Sequence, residues 1–310
     1  MKKLKAAVVG VGYLGRFHAQ KYKAHPQVEL VGVYDLNKEQ AHKVADELQV
    51  TCFNQLEDIY GKIDIATIAC STQGHYEVAE KLLRNKIHLN IEKPITAELD
   101  QAKKLIHLAQ ENQVKLSVGH IERFNPAFVK WQKRRGNSIK YIEFERMGPF
   151  KLRGSDVSVL HDLMIHDLDL LLSMNPGVLS SVEACGACCK SKSFDWASVW
   201  LTFGNRLRVH LKASRVHPVA TRVMRVYEAD GQWTLNLNHG TIEHVTFGEG
   251  TQTSLKEDGI STEKVDALQK ETEEFVAAVL QNRTPMITGE DGLAALSLVE
   301  RIHFELSRHA

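Results

Sequence analysis

The stretch from Lys5 to Gly15, KAAVVGVGYLG, restricts the fold more than any other part of the chain. Val8 and Val9 close a short apolar run that reads as a buried strand, and Gly10-x-Gly12-x-x-Gly15 follows at once. A helix opens near Leu14 and runs through Phe17, Ala19 and Tyr22. In a strand–turn–helix unit the three glycines have separate tasks: the tight turn, close approach of backbone to a pyrophosphate, and close packing of helix on strand. The helix N-terminus then offers unpaired N–H groups and the positive end of its dipole to phosphates. Gly10, Tyr13, Leu14, Gly15 and, between them, Gly12 are therefore candidate cofactor-binding residues. The glycine spacing alone is a weak signal, and its weight depends on what surrounds it.

The surroundings support it. Val28–Tyr34 is a second β-branched run ending at Asp35, twenty residues beyond Gly15, where a carboxylate can accept hydrogen bonds from an adenosine ribose. The same charge repels a 2′-phosphate, and Leu36-Asn37 supplies no arginine to bind one, so NAD is expected over NADP. Apolar strands at Ile63–Cys70, Ile87–Ile91 and Val114–Val118 alternate with helical patterns at Lys38–Leu48, Gly74–Asn85 and Leu99–Asn112. Such alternation predicts a parallel sheet with right-handed crossovers, whose ligands lie beyond the carboxyl ends of the strands. Gly12, Asp35, Ser71-Thr72, Lys93 and His120 all fall at such ends. Pro94 keeps Lys93 out of helical geometry as the strand exits. A lysine there is either a solvated surface group or, beside Glu92 in the expected crevice, a catalytic one.

Composition narrows the partners. The 310 residues are 43% hydrophobic and 25% charged, with a net charge of +1, which favours neither nucleic acid nor an anionic membrane. MKKLKAAVVGVG imitates a signal peptide, but its apolar run breaks into glycines too early. No stretch approaches the roughly 18 apolar residues of a spanning helix. Five cysteines without secretory context suggest reduced thiols and a cytoplasmic protein.

At Glu92-Lys93-Pro94 the chain resembles the Gfo/Idh/MocA family of NAD(P)-dependent sugar and polyol oxidoreductases. The resemblance covers essentially the whole chain: the glycine fingerprint, Asp35, Ser71-Thr72-x-x-His75, the Glu92–Pro94 tripeptide and a later Asp-x-x-x-His. It implies a Rossmann half followed by an α+β half carrying much of the sugar pocket, Lys93 near the reacting hydroxyl, and Ser71, Thr72, His75, Glu92 and Lys93 in the cofactor site. It also implies a homo-oligomer, dimer or tetramer. Closer within the family, Gly119–Pro126 (GHIERFNP) and His161–Asp169 (HDLMIHDLD) are similar to the branch that oxidises C3 of UDP-N-acetylglucosamine. There the 3-keto nucleotide sugar feeds a transamination, leading to diamino sugars of lipid A or other surface glycans.

The expected architecture is thus an α/β Rossmann domain over residues 1–122 and an α+β domain with a largely antiparallel open sheet over 123–310. Arg123 and Asn125 lie at the junction. An Arg fork suits a diphosphate or carboxylate, so both are candidate substrate-binding residues, with a salt bridge between domains an equal alternative for Arg123. Pro126 opens a helix at Ala127–Arg135, and Ile139–Met147 alternates as a strand. Lys151–Ser155 reads as a polar loop. Leu160–Ser173 has helical length, with Asp162, His166 and Asp169 on one face and Met164, Leu168, Leu171 and Leu172 on another. An imidazole with a carboxylate one turn away can act as a general base, the Asp fixing the tautomer and stabilising the imidazolium. A single His on such a helix is otherwise more often structural; the match to the family's dyad decides for His166 and Asp162 as catalytic, with Lys93. His161 and Asp167 fall off that face and read as surface or capping groups.

Strand-like runs fill Val178–Phe247, with a hairpin turn at Asp230-Gly231. Cys185, Cys188 and Cys189 lack a fourth ligand, and His161 and His166 have the wrong spacing for zinc, so buried thiols and no metal are expected. Gly248–Ser261 reads as a loop, and two amphipathic helices, Val265–Leu280 and Gly292–Leu306, close the chain. The expected activity is NAD-dependent oxidation of a nucleotide-sugar hydroxyl. The alternatives are an inositol, a free sugar or another small substrate such as a tetrapyrrole and, in a different class, an NAD(H)-sensing protein without chemistry.

Overall fold

A computed structural model describes residues 3–136, 139–152, 154–155, 157–204, 206–247, 253–258 and 265–308. The chain forms two compact units, Met1–Ile121 with Asp266–Ala294, and Glu122–Val265 with Ala295–Ala310.

The first unit alternates as its apolar runs predict: β1 (Leu4–Val9), α1 (Tyr13–Ala24), β2 (Val28–Tyr34), α2 (Lys38–Leu48), β3 (Thr51–Cys52), β4 (Ile65–Ile68), α3 (Thr72–Arg84), β5 (His88–Glu92), α4 (Leu99–Glu111) and β6 (Leu116–Gly119). Every strand pair is parallel, in the order β3-β2-β1-β4-β5-β6. Helices covering both faces explain why the central strands are apolar without alternation: Ala6, Ala7, Val8 and Val9 of β1 are all buried. The strand order reverses between β1 and β4, which opens the crevice that doubly wound sheets use for ligands.

The second unit contains α5 (Pro126–Gln132), β7 (Tyr141–Met147), a π-helical turn at Leu160–Met164 continuing into α6 (Ile165–Leu172), and seven further strands. These are β8 (Leu179–Ala187), β9 (Trp196–Phe203), β10 (Arg208–Ser214), β11 (Thr221–Tyr227), β12 (Gly231–Asn236), β13 (Thr241–Phe247) and β14 (Thr253–Asp258). They form one sheet in the order β14-β13-β12-β11-β7-β10-β9-β8, antiparallel except for β7 beside β10. Period-2 alternation sends Ile142, Phe144, Val199, Leu211 and Met224 into a core shared with Phe128, Trp131, Leu160, Met164 and Leu168. The opposite face carries Tyr141 stacked on Trp200 and tilted against Tyr227, and Glu143 and Glu145 paired with Lys212 and Arg225.

Three expectations change. The Gly248–Ser261 segment contains a strand, β14, paired to β13; its polar sequence suits an edge position, and the rest of the segment lies outside the described residues. Arg153 of the Lys151–Ser155 loop is also outside them. Cys185, Cys188 and Cys189 are exposed and not buried: Cys185 lies on the edge strand β8, and Cys188 and Cys189 lie just beyond its end. Finally, the segment after residue 265 belongs in part to the first unit: α7 (Ala267–Leu280) buries Phe275 and Val276 in a core with Ala19 and Tyr22 of α1. The last helix, α8, spans Gly289–Ser307.

Candidate active site

The glycine turn joins β1 to α1 where the crevice opens. Gly10 has φ +83°, a conformation that disfavours any Cβ. At Gly15 a Cβ would stand 1.8 Å from the Gly10 carbonyl oxygen, so helix and turn approach as closely as backbone permits. Gly12 caps α1, and a Cβ there would meet nothing within 4 Å, so this side of the turn is open to a ligand. The first turn of α1 carries no acidic side chain, leaving its positive end to an anion. Asp35 at the end of β2 accepts from Val11 N–H at 2.7 Å and from Asn37 N–H at 2.8 Å. These bonds orient the carboxylate and use two of its roughly four acceptor positions, leaving capacity for a ribose diol. The residues therefore fit a dinucleotide: an open glycine face for the pyrophosphate and an oriented carboxylate for the ribose.

Further along the same edge, Ser71 caps α3 and is exposed, with Thr72 half-buried beside it. Tyr13 is exposed and Leu14 half-buried on the glycine turn. His75 differs in being 1% exposed. Its Nδ1 lies 2.9 Å from the Pro94 oxygen and its Nε2 3.2 Å from the Cys70 oxygen, which ties the exits of β4 and β5 together. Burial, against those two bonds, holds its basicity below that of an ordinary imidazole.

Glu92 and Lys93 end β5. Lys93 is half-buried and its N–H donates to Glu92 Oε2 at 3.3 Å, while Glu92 Oε1 lies 2.8 Å from Nε2 of His18 on α1. Burial favours the neutral acid, but the His18 hydrogen bond and charge, with the Lys93 charge, outweigh it and hold Glu92 below the usual carboxylate range. Burial also opposes the His18 charge, and the Glu92 partnership overcomes it, raising the imidazole's pKa. Behind this pair lies Glu271 of α7, 2% exposed, its Oε1 2.5 Å from the Asn90 amide of β5. Burial first, with repulsion from Glu92, pushes the Glu271 carboxyl up to about 7 despite the opposing His18 charge. Neither His18 nor Glu271 was singled out by motif. Their signals were a histidine on the apolar face of α1 and a glutamate in register with Phe275 and Ala278 on α7.

In the second unit, the π turn is made by Ile165 N–H reaching back to the Leu160 oxygen. Asp162 and His166 are both half-exposed, while Met164, Ile165 and Leu168 are buried. Asp169, expected on their face, is instead 1% exposed and closed bidentately by Arg123, Nη2 to Oδ1 at 2.7 Å and Nε to Oδ2 at 2.9 Å. Asp167, expected at the surface, is 2% exposed and held by Arg146 at 2.7 Å, whose other arm reaches Glu122 at 2.8 Å. The physical reason is the same for both: two arginines from neighbouring segments neutralise carboxylates that helical period alone places beside the core. Burial disfavours the Arg146 charge, but the two carboxylates more than restore it and raise its pKa.

Arg123 and Asn125, the candidate substrate-binding residues, are both buried and hydrogen-bonded within the second unit. The Arg123 fork closes on Asp169 within its own unit. The Asn125 amide donates to Glu122 Oε2 at 3.0 Å and to the Leu237 oxygen at 2.9 Å, and its oxygen caps α5 at Ala127 N–H. Arg123 thereby braces α6, and Asn125 the start of α5. His161 is likewise structural, between Ser158 and Glu300. Among the described residues no group of three or more His, Cys, Asp or Glu could hold a metal ion, and no helix is long and apolar enough to cross a membrane.

Comparison with known proteins places this geometry. Residues 4–120 match the family model described as "Oxidoreductase family, NAD-binding Rossmann fold". Over 297 residues the chain is 36% identical to the UDP-N-acetylglucosamine 3-dehydrogenase of Acidithiobacillus ferrooxidans, covering 95% of this chain and 94% of that one. A crystal structure of the A. ferrooxidans enzyme superposes with a TM-score of 0.92 at 34% identity, over 99% of this chain and 98% of that one. The scyllo-inositol 2-dehydrogenase (NAD(+)) of Bacillus subtilis is 26% identical across 95% of this chain and 92% of its own. The glycine turn, the oriented Asp35 and full-length similarity to a dehydrogenase together show that the chain belongs to the Gfo/Idh/MocA family of NAD-binding oxidoreductases.

Proposed function

We propose that the protein oxidises the C3 hydroxyl of UDP-N-acetylglucosamine to the 3-keto nucleotide sugar. The observation that carries this reading is the 36% identity, over 95% of the chain, to an enzyme named for that reaction. His166, half-exposed on α6, takes the hydroxyl proton. Asp162, one turn before it, holds the ring's tautomer and stabilises the imidazolium. Lys93 polarises the hydroxyl oxygen and offsets the developing alkoxide charge. NAD, when bound, supplies the hydride acceptor. Gly10, Gly12, Gly15 and Asp35 hold and orient it, with Tyr13, Leu14, Ser71, Thr72 and Glu92 lining the same strand ends. Positioning supplies much of the acceleration, because the reacting hydroxyl must be held at short range and in a defined orientation.

The 3-keto product is a substrate for transamination to a diamino sugar, as lipid A or other surface glycans require. The reaction belongs in the cytoplasm, where the exposed Cys185, Cys188 and Cys189 stay reduced. The open sheet face bearing Tyr141, Trp200 and Tyr227 is the surface through which copies of the chain pair as a homo-oligomer.

The test is incubation with NAD and UDP-N-acetylglucosamine, following NADH by absorbance and the keto sugar by mass spectrometry. Absence of product under single-turnover conditions refutes the substrate. Turnover of an inositol or a free sugar in parallel reactions would replace it, and NAD binding with no reduction by any of them would favour a sensor.

A further inference from the structure

Beside Glu92 the first unit buries two ionisable side chains, His18 and Glu271, that the reaction as proposed does not use. Glu92 is shared between the backbone of Lys93 and the ring of His18, and Glu271 lies behind them. One imidazole therefore faces two buried carboxylates. The His18 ring bonds to Glu92, whose charge Lys93 also favours, while Glu271 hydrogen-bonds to the neutral Asn90, and a buried carboxylate without a cation in contact is costly.

The surroundings of Glu271 suit the neutral acid. Asn90 meets Glu271 Oε1 at 2.5 Å, a contact that either an amide N–H donor or a protonated carboxyl can make. Turning the Asn90 amide over brings its oxygen to that position, where it accepts from a protonated Glu271. Glu271 Oε2 and Asn90 Oδ1 meet no hydrogen-bond partner among the described residues, which a neutral carboxyl tolerates far better than an ion. Glu271 is faced by His18 and Tyr22 from α1, by Asn90 and Glu92 from β5, and by Glu274 on its own helix. Tyr22 is directed elsewhere, to Thr67 at 2.8 Å, and burial keeps its phenol neutral.

We propose that Glu271 and His18 are positioning residues for Lys93: a proton held on Glu271 leaves His18 to Glu92 alone, and Glu92 in turn fixes the backbone that carries the Lys93 ammonium. Loss of that proton places a second negative charge beside His18, which then divides its attraction between two carboxylates and loosens its hold on Glu92. The neutral form of Glu271 is the working form. This inference rests on the role given to Lys93 above.

The test compares wild-type holoenzyme with Glu271→Gln, a neutral isostere, using NAD and UDP-N-acetylglucosamine. At about pH 6 the kcat values should agree within about twofold, and by about pH 8.5 the variant should exceed wild type by about threefold or more, with KM unchanged. Infrared pH-difference spectra of the wild-type protein should show a buried carboxylic C=O band lost between about pH 6 and 8, and absent in Glu271→Gln. Superimposable pH profiles overturn the proposal. So does a folded, NAD-binding Glu271→Gln that is inactive at every pH, since an ionisable carboxyl would then be required. If the variant does not fold, the wild-type band decides: its absence overturns the proposal. The parent reading fails separately, if Lys93→Met retains full kcat whatever Glu271 does.

Discussion

Glu271→Gln also makes a prediction about stability that needs no substrate. Sidechain ionisation and folding are linked through the difference in bound protons between the unfolded and native states. Unfolded, Glu271 titrates near 4.5; folded, burial lifts it to about 7. Between those values the native state holds a proton that the unfolded state has released, so stability falls as pH rises. The contribution is fully present below the unfolded value and gone once pH passes the folded one. A shift from 4.5 to about 7 corresponds to roughly 3 kcal/mol. Most of this, about 2 to 3 kcal/mol, is lost between about pH 5 and pH 8. Glutamine fills the same space and does not titrate. Wild type should therefore lose about 2 to 3 kcal/mol more than the variant over that interval, and the difference of the two pH dependences cancels the titrating groups that do not interact with Glu271.

The assay must report on the correct unit. All four tryptophans, Trp131, Trp196, Trp200 and Trp233, lie in the second unit, so their fluorescence is a poor witness to the first. Hydrogen exchange of the β5 and α7 amides in graded denaturant, read by mass spectrometry, reaches the relevant elements. Parallel pH dependences for wild type and Glu271→Gln would refute the argument, because they would mean that Glu271 is ionised when folded. A variant that loses stability more steeply than wild type would refute its sign.

Three further outcomes are expected. Arg146→Met leaves Asp167 and Glu122 buried without their cation and should cost about 3 to 5 kcal/mol, seen as a lower denaturation midpoint by tryptophan fluorescence; adding Asp167→Asn and Glu122→Gln should restore much of it, and no restoration would mean that packing dominates. Gly15→Ala drives a Cβ into the Gly10 carbonyl and should unfold or rearrange the turn, whereas Gly12→Ala meets open space and should fold normally while weakening NAD binding; calorimetric titration with NAD beside thermal melts separates the two, and unaltered NAD affinity in Gly12→Ala would displace the pyrophosphate from that face. His166→Ala should lower kcat by about 10²- to 10⁴-fold with NAD affinity preserved, and a full kcat would remove His166 as the base.

The residues that were legible in the sequence are those whose environment is set by neighbours along the chain. A central strand covered on both faces must be apolar, so KAAVV, VELVGVY and IDIATI announced β1, β2 and β4. The turn after β1 must admit both a positive φ and a 1.8 Å approach, so the glycines announced themselves too. What stayed hidden depends on partners far away in the chain. Arg123 and Asp169 are separated by 46 positions and Asn90 and Glu271 by 181, and nothing in local period tells which arginine descends on which carboxylate. The π turn at Leu160–Met164 has no period of its own over five residues, so a helical wheel drawn through it placed Asp169 beside His166 when the fold commits it to Arg123.

Yet the hidden pairs left a trace, because they all violate the pattern that made the rest readable. Asn90 interrupts a buried apolar strand, Glu271 stands on the same face of α7 as Phe275 and Ala278, and His18 stands on the apolar face of α1 beside Ala19 and Tyr22. Each taken singly is an ordinary exception. The fold joins all three to one structure, and that structure ends at Glu92 and Lys93, the one place on the strand edge where the proposed chemistry needs a cation held still. A polar residue on an apolar face is thus informative in proportion to the number of others it meets. Three such residues converging behind a single lysine are better explained by a requirement at that lysine than by three independent tolerances of the core.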